Sequence, residues 1–218
     1  MGSYLVIGAG RFGSAVATEL YRMKHDVLVI EEEESNVADI VDQVTEVVIG
    51  DAKDEAVLRS LDIYSFDCAV VAMSGSIEDS IMPTVMLKEL GAKMIVCKAQ
   101  NEWHAKILKQ LGADRIVHPE SDMGKRVAHS LVHRNIIDSL VLSSEHSIIE
   151  ITTPKQWVGN SLAHNNLRRK HEITIIAIRS AENDKMAFHI NADTVLREGD
   201  VLTVIGANKD LDTISALK

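Results

Sequence analysis

The chain has 218 residues, of which 46% are hydrophobic, 25% charged and 4% aromatic, and this composition supports a buried core and excludes wholesale disorder. Its formal net charge of −9 argues against a free-standing nucleic-acid-binding protein. Apolar runs stay well short of the roughly 20 residues that a membrane-spanning helix needs, and the N-terminus predicts a strand rather than a signal peptide. The two cysteines, Cys68 and Cys97, lie in apolar runs and are expected to be reduced, buried thiols of a cytoplasmic protein.

Short apolar runs alternate with helical patterns through the first half of the chain. Strands are predicted at residues 4–7, 27–30, 47–49, 68–73, 94–97 and 115–117. Helices are predicted at residues 13–23, 35–42 (with Ser35 as N-cap), 55–61, 77–90 and 103–111. Such regular alternation predicts the α/β class, with a Rossmann-like doubly wound parallel sheet covered on both faces.

The pattern changes after Pro119. One long helix is predicted over residues 121–138, followed by short strands at 147–151, 173–178 and 201–205 and a closing helix at 211–217. We therefore predict a nucleotide-binding domain at residues 1–138, which includes the long helix as a crossover, and a small α+β domain at residues 139–218. A unit of about 80 residues is small for a conventional substrate domain.

A glycine-rich turn follows the first predicted strand directly. Residues 8–13 read Gly-Ala-Gly-Arg-Phe-Gly, the G-x-G-x-x-G pattern that binds the phosphates of a dinucleotide when a strand precedes it and a helix follows. In that reading Gly8 permits the tight turn, Gly10 lets a phosphate approach the backbone, and Gly13 lets the helix pack closely on the strand. The helix N-terminus adds unpaired N–H groups and the positive end of its dipole. The alternative is a glycine-rich turn without a ligand.

An acidic residue is expected about 20 positions further on, where the ribose of a bound adenosine would lie. Glu31 directly follows the second strand and fits this place, and its charge would repel the 2′-phosphate of NADP. After the third strand, Asp51 and Ala52 are placed to read an adenine edge, although Asp51 is an equally good N-cap for the helix that follows.

The turn after the fourth strand is predicted to run along the same crevice, which assigns three more residues to the site: Ala72, Met73 and Ser74. Arg11 is an unusual cation inside the glycine loop, and a charged terminal phosphate would benefit from it. The alternative is a surface arginine.

Weaker candidates lie beyond the crevice. His129 and His133 are spaced i, i+4 on the long helix, a spacing compatible with a metal site, but solvent-facing histidines without a third ligand are the favoured interpretation. The basic run at residues 168–170 is typical of a solvated face, although it is also suited to an anionic ligand.

The order of several motifs resembles a known family. The motifs are residues 8–13, Gly50-Asp51-Ala52, Lys98-Ala99-Gln100-Asn101, Leu111-Gly112-Ala113-Asp114 and the stretch from His118-Pro119-Glu120 to Asp122-Met123-Gly124. Together they are similar to the KtrA/TrkA-type regulatory subunits of bacterial potassium uptake systems, which consist of an RCK domain (regulator of K⁺ conductance, TrkA-N) and a TrkA-C domain.

The resemblance implies a nucleotide sensor that is not an enzyme. ATP or ADP, or else NAD(H), would occupy the crevice, with its phosphates on the loop of Gly8, Gly10, Arg11, Phe12 and Gly13, its ribose on Glu31 and its base near Asp51 and Ala52. Lys98 would lie near the nucleotide, and Glu120 would help to hold Mg²⁺ or Ca²⁺. Cyclic di-AMP is a weaker expectation for Asn166, Leu167 and Arg168, because residues 188–191 depart from the family pattern.

The resemblance also implies partners. The expected assembly is a homodimer that builds an octameric ring on a membrane-embedded K⁺ channel subunit of the KtrB/TrkH kind, at the inner face of the plasma membrane, and no nucleic acid is expected. The ring would gate the channel in response to its ligand. The alternatives are a small NAD(H)-dependent oxidoreductase and a stand-alone NAD(H)-responsive regulator.

Overall fold

A computed structural model describes residues 1–132 and 136–217 of the chain. The chain divides into two compact units, Met1–Pro119 and Glu120–Lys218. This division falls before the predicted boundary after residue 138, and the assignment of residues 120–138 to the nucleotide domain stays a prediction. No helix of the described residues has the length and apolar character needed to cross a membrane.

The first unit is a six-stranded parallel sheet with helices between its strands. The strands are β1 (Ser3–Ile7), β2 (Asp26–Glu31), β3 (Glu46–Ile49), β4 (Cys68–Val71), β5 (Ile95–Lys98) and β6 (Arg115–Val117). The helices are α1 (Arg11–Arg22), α2 (Glu55–Arg59), α3 (Ile77–Glu89) and α4 (Glu102–Gln110). The strand order is β3-β2-β1-β4-β5-β6, which confirms the predicted doubly wound class and places the switch point between β1 and β4.

Both faces of this sheet are buried, which explains why its strands read as continuous apolar runs. Successive residues of β1 point to opposite faces: Leu5 and Ile7 belong to one hydrophobic cluster, and Val6 belongs to another. Cys68 and Cys97 are free and buried as predicted, and burial raises the pKa of the Cys97 thiol to about 11. At neutral pH that thiol is therefore protonated and unreactive.

The helix predicted over residues 35–42 is wrong. Two short 3-10 turns, Glu34–Asn36 and Val41–Gln43, stand in its place. Val37, Ile40 and Val44 are buried in this segment. Three β-branched residues in so short a segment lower its helix propensity. The 3-10 turns bury the same side chains without an α-helix.

The second unit is a five-stranded antiparallel sheet with short helices. Its strands are β7 (Ile136–Val141), β8 (His146–Thr152), β9 (Thr174–Arg179), β10 (Met186–Ala187) and β11 (Val201–Ala207), in the order β10-β9-β11-β8-β7. Its helices are α5 (Pro119–Val132), α6 (Leu162–Asn165), α7 (Leu167–His171) and α8 (Asn208–Ser215). The core contains the fully buried Ile151, Leu202 and Ile214. This arrangement confirms the predicted small α+β fold.

The prediction of one helix through residue 138 is also wrong. Helix α5 extends to Val132, whereas residues 136–138 belong to β7, where Ile136 is buried and lies opposite Ile151 of β8. The apolar pair Ile136-Ile137 fits either pattern, and pairing with β8 decides between them. Residues 133–135 of the predicted helix lie outside the described residues.

Candidate functional site

A cleft of ≈ 270 Å³ opens at the carboxyl ends of the strands in the first unit. Seven of the predicted site residues line it: Gly8, Gly10, Glu31, Ala52, Ala72, Met73 and Ser74. The cleft is also lined by Gly50 and Gly75, which adjoin the predicted residues, and by five residues that the sequence did not indicate: Ile30, Glu32, Asn36, Lys53 and Asp79. The cleft lies where a doubly wound sheet binds its ligands, because the connections on either side of the switch point diverge there.

The three loop glycines differ in what a side chain would meet. Gly8 has a φ of +95°, a conformation that favours glycine. A Cβ on Gly13 would lie 1.9 Å from the carbonyl oxygen of Gly8, so Gly13 is required for the helix to pack on its own loop. A Cβ on Gly10 would lie 3.6 Å from Ser74 Oγ, the nearest atom, so the protein itself tolerates a side chain there. Gly10 therefore leaves space in the cleft that a ligand can use.

Helix α1 presents its N-terminus beside this loop. Gly10 is the N-cap and supplies no side-chain hydrogen bond, and the first turn of α1 contains no acidic residue. The first N–H groups and the positive end of the dipole are consequently unopposed within the helix, as anion binding requires. Arg11 is exposed as the first residue of α1, and Phe12 is partly buried against the core; neither lines the cleft.

Glu31 ends β2, and its carboxylate organises the turns around it. Oε2 accepts a hydrogen bond from the backbone N–H of Ala9 at 2.6 Å. Oε1 accepts from the backbone N–H groups of Glu32 and Glu33 at 3.0 and 3.1 Å, and from Asn36 Nδ2 at 3.3 Å. A carboxylate held in this way is fixed in position, and Oε2, with one donor, keeps a lone pair for a further one.

The turn between β3 and α2 settles one open alternative. Asp51 Oδ1 accepts a hydrogen bond from the backbone N–H of Lys53 at 2.8 Å, whereas Asp54 caps α2 by accepting from the Ala56 N–H at 2.9 Å. The interpretation of Asp51 as the N-cap is therefore wrong. Asp51 does not line the cleft, although Ala52 beside it does.

An ion pair joins the β3–α2 turn to the start of α3. Lys53 Nζ donates a hydrogen bond to Asp79 Oδ1 at 3.2 Å, and this bond is the main reason that the pKa of Lys53 is raised. The pKa of Asp79 is lowered, first by the backbone N–H of Ser76 and then by Lys53. Ser76 and Asp79 form a capping box on α3, which the Ser-x-x-Asp spacing of the sequence indicates.

Lys98 holds Ser74, a residue that lines the cleft, in place by a hydrogen bond. Its side chain is buried in β5, with 6% of the residue exposed, and Nζ donates a hydrogen bond to Ser74 Oγ at 3.1 Å. A buried ammonium group needs such partners, because desolvation without them is costly. Lys98 thus lies next to the predicted site without lining it.

The remaining predicted residues lie in the second unit. Glu120 is exposed in the first turn of α5, and among the described residues no group of three or more His, Cys, Asp or Glu side chains is placed to hold a metal ion. Asn166, Leu167 and Arg168 line a shared pocket of ≈ 180 Å³ with several apolar side chains. Of the two spaced histidines, His133 and the side chain of His129 lie outside what the structure describes.

A doubly wound sheet, a glycine loop on an open helix N-terminus and a carboxylate at the end of β2 define a Rossmann-like nucleotide-binding domain. In this chain a small antiparallel α+β domain follows it. The TrkA-N domain model matches residues 4–119, and the TrkA-C domain model matches residues 146–218. The chain belongs to the family of Ktr-type potassium uptake proteins built from these two domains, which confirms the resemblance.

Similar proteins support this assignment. Over 208 residues, the chain is 40% identical to Ktr system potassium uptake protein C and 38% identical to protein A, both of Bacillus subtilis; each match covers 95% of this chain and 93% of the relative. The RCK domain of the GsuK channel shares the fold, with a TM-score of 0.67 and 19% identity over 99% of this chain and 47% of that chain. A structure of the GsuK channel bound to NAD aligns with a TM-score of 0.67 and 18% identity, covering 99% of this chain and 39% of that one.

Proposed function

We propose that this chain is a nucleotide-sensing regulatory subunit of a Ktr-type K⁺ uptake system and is not itself an enzyme. The observation that carries the proposal is the cleft between Gly10, Ser74 and Glu31, which combines free space, a helix N-terminus and a fixed carboxylate. The relatives named as Ktr potassium uptake proteins, which match nearly the whole chain, support the connection to K⁺ transport.

The proposed ligand is an adenine nucleotide. Its phosphates would take the space above Gly10 and bond to the N–H groups at the start of α1, and its ribose would bond to Glu31. The base would lie toward Ala52 and the Lys53–Asp79 pair, which line the same cleft. The negative charge of Glu31 favours NAD(H), ATP and ADP over NADP(H). The NAD-bound channel structure of the same fold supports NAD(H) as one occupant.

The proposed assembly is a homodimer and, from it, an octameric ring on a membrane-embedded K⁺ channel subunit at the cytoplasmic face of the membrane. Ligand in the cleft would change the shape of the ring and so gate the channel. Glu120 would supply a carboxylate for Mg²⁺ beside a bound triphosphate, since magnesium favours a few carboxylates together with phosphate oxygens. The pocket of Asn166, Leu167 and Arg168 would take cyclic di-AMP.

Two measurements test this function. Calorimetric titration of the purified chain with NAD⁺, NADH, ATP, ADP, NADP⁺ and cyclic di-AMP is expected to show binding of the adenine nucleotides and weak binding of NADP⁺. Affinity purification from membranes is expected to recover a polytopic membrane protein with the tagged chain. No binding of any adenine nucleotide overturns the ligand proposal, and turnover of NAD(H) with a small-molecule substrate points to the oxidoreductase.

A further inference from the structure

One wall of the cleft is held in place by side chains of β5 and of the loop that follows it. The wall consists of Ser74 and Gly75, and Gln100 Nε2 donates a hydrogen bond to the carbonyl oxygen of Gly75 at 2.6 Å. Gln100 is exposed and follows Lys98, which bonds to Ser74. The position of Gly75 in this wall therefore depends on where the backbone of Gln100 lies.

That backbone is fixed by a buried histidine. The N–H of Gln100 donates to Nδ1 of His104, a residue of α4 that is 1% exposed, at 3.2 Å. Because Nδ1 accepts this bond, the neutral ring carries its proton on Nε2, which lies 2.8 Å from Ser80 Oγ of α3. The Ser80 hydroxyl in turn donates to the carbonyl oxygen of Ile77 at 2.9 Å. Each atom in this chain of hydrogen bonds is therefore fixed as a donor or as an acceptor, and this assignment requires a neutral imidazole.

We infer that His104 is a positioning residue for the cleft, which acts through Gln100 on Gly75 and does so only as the neutral imidazole. The inference rests on the nucleotide binding proposed above. Protonation would add a proton to Nδ1, so the ring would point an N–H group directly at the N–H of Gln100. Two donors cannot share a hydrogen bond, so Gln100 must move and Gly75 loses its partner.

The surroundings of the ring keep it neutral. Burial is the main cause that lowers the pKa of His104, and the charge of His118 after β6 is the second. Charged groups of α3 and β5 bond to partners other than the ring: Asp79 of α3 accepts from Ser76 and Lys53, and Lys98 of β5 donates to Ser74. The contribution of neutral His104 is complete above its ordinary pKa of about 6.5 and is lost as the pH falls through the lowered value.

The test compares NAD⁺ affinity as the pH is lowered from about 8 until the nitrogen chemical shifts of the His104 ring report that it is protonated, because the pyrophosphate of NAD⁺ does not titrate in this range. Wild type is expected to lose affinity as the pH falls. In His104→Asn, the amide oxygen stands where Nδ1 stands and accepts from Gln100 without titrating, so the affinity is expected to stay level. Gln100→Leu removes the bond to Gly75 from an exposed position and is expected to weaken binding about two- to tenfold already at pH 8. His25→Gln alters a histidine at the amino ends of the strands, away from the cleft, where its Nδ1 accepts a hydrogen bond from the N–H of Gly2, and is expected to keep the wild-type profile.

Equal pH profiles for wild type and His104→Asn would overturn the inference, as would unchanged affinity in Gln100→Leu. Nitrogen chemical shifts of the His104 ring in the ligand-free protein provide a readout that needs no nucleotide. A proton on Nε2 at neutral pH is expected, and a proton on Nδ1 would refute the positioning role. If wild type binds no nucleotide at any pH, the proposed function fails. The nitrogen chemical shifts of the His104 ring still test the chain of hydrogen bonds, because they need no ligand.

Discussion

The carboxylate of Glu31 accepts a hydrogen bond from the backbone N–H of Ala9 at 2.6 Å, so the last residue of β2 holds the middle of the glycine loop. The same carboxylate also fixes the turn that follows β2 through the N–H groups of Glu32 and Glu33. A ribose at this place would bond to a group that already shapes the phosphate loop. Binding of a ribose there would therefore be coupled to the geometry of the loop through a single side chain.

Glu31→Gln is expected to weaken NAD⁺ binding by about 10- to 100-fold, on the scale of about 1.5–3 kcal/mol for a hydrogen bond to a charged group. The amide replaces one acceptor oxygen with a donor, so a backbone N–H loses its partner as well. NADP⁺ is expected to lose less affinity, because the repelling charge is removed. Titration calorimetry measures both, with exposed Glu33→Gln as the matched control. Equal effects of the two substitutions would contradict the ribose assignment.

Gly10 and Gly13 are expected to respond differently to alanine. Gly10→Ala adds a methyl group at ordinary contact distance from Ser74, so the protein is expected to fold, with a cost of at most about 1 kcal/mol at the N-cap. Its nucleotide affinity is expected to be lost, because the methyl group occupies the phosphate space. Gly13→Ala drives a methyl group into the carbonyl of Gly8 and is expected to lower the unfolding temperature. Thermal unfolding and nucleotide titration of both variants separate the two roles, and normal binding by Gly10→Ala would refute the phosphate site.

Much of the first unit follows from local pattern alone. The strands of the parallel sheet are buried on both faces, so each is an apolar run that the sequence displays directly. The secondary structure of residues 35–42 and 136–138 was harder to predict, because their β-branched residues fit more than one conformation. In both places the outcome depends on distant packing: Val37 and Ile40 bury against the sheet, and Ile136 pairs with Ile151. Local propensity does not contain that information.

The candidate site likewise contains features that the sequence predicts and contacts that it does not. Glycine spacing and the position of Glu31 are properties of adjacent residues, so the sequence predicted them. Lys53 and Asp79 are 26 residues apart, and Gln100 and Gly75 are 25 apart, so their contacts exist only once β3, β4 and β5 are aligned. The capping box at Ser76 was readable from spacing, but its link to the cleft was not.

The carboxylate of Asp79, which accepts from the backbone N–H of Ser76 and from Lys53, predicts an acid-sensitive contribution to stability. The pKa of Asp79 is lowered in the folded protein, so its contribution is complete above the unfolded value near 3.9 and is lost as the pH falls through the folded value. Asp79→Asn is expected to lower the unfolding temperature at pH 7, with the difference from wild type vanishing in acid. Asp62→Asn is the control, because the Asp62 side chain caps nothing. A difference that persisted unchanged after the carboxyl group of Asp79 had been protonated in the folded protein would assign the effect to the shape of the side chain rather than to its charge.

Helix α5 predicts self-association. Met123, Val127 and Leu131 follow one another at a spacing of four residues, and all three are exposed, Leu131 by 76%. A stripe of this kind is a typical protein–protein contact surface. Leu131→Glu is expected to shift the chain toward monomer in light scattering at tens of micromolar protein, whereas Lys125→Glu on the same helix is expected to leave assembly unchanged. A wild-type monomer at that concentration would count against the dimer.

The last prediction concerns how ATP and ADP would be told apart. The two ligands differ only in the terminal phosphate, so a sensor that separates them must contact that phosphate differently in its two states. Arg11 is exposed as the first residue of α1, and a guanidinium group binds phosphate through paired hydrogen bonds.

Arg11→Ala is therefore expected to bind ADP nearly normally while ATP affinity falls about tenfold, the scale of one charge-assisted hydrogen bond. Glu120→Gln is expected to remove the dependence of ATP affinity on Mg²⁺, because a carboxylate beside a triphosphate needs the ion between them to offset repulsion. Arg22→Ala, at the other end of α1 where Arg22 pairs with Glu19, controls for the loss of a positive charge. If Arg11→Ala weakened ATP and ADP equally, Arg11 would be a general phosphate contact, and the discrimination would have to arise elsewhere in the assembly.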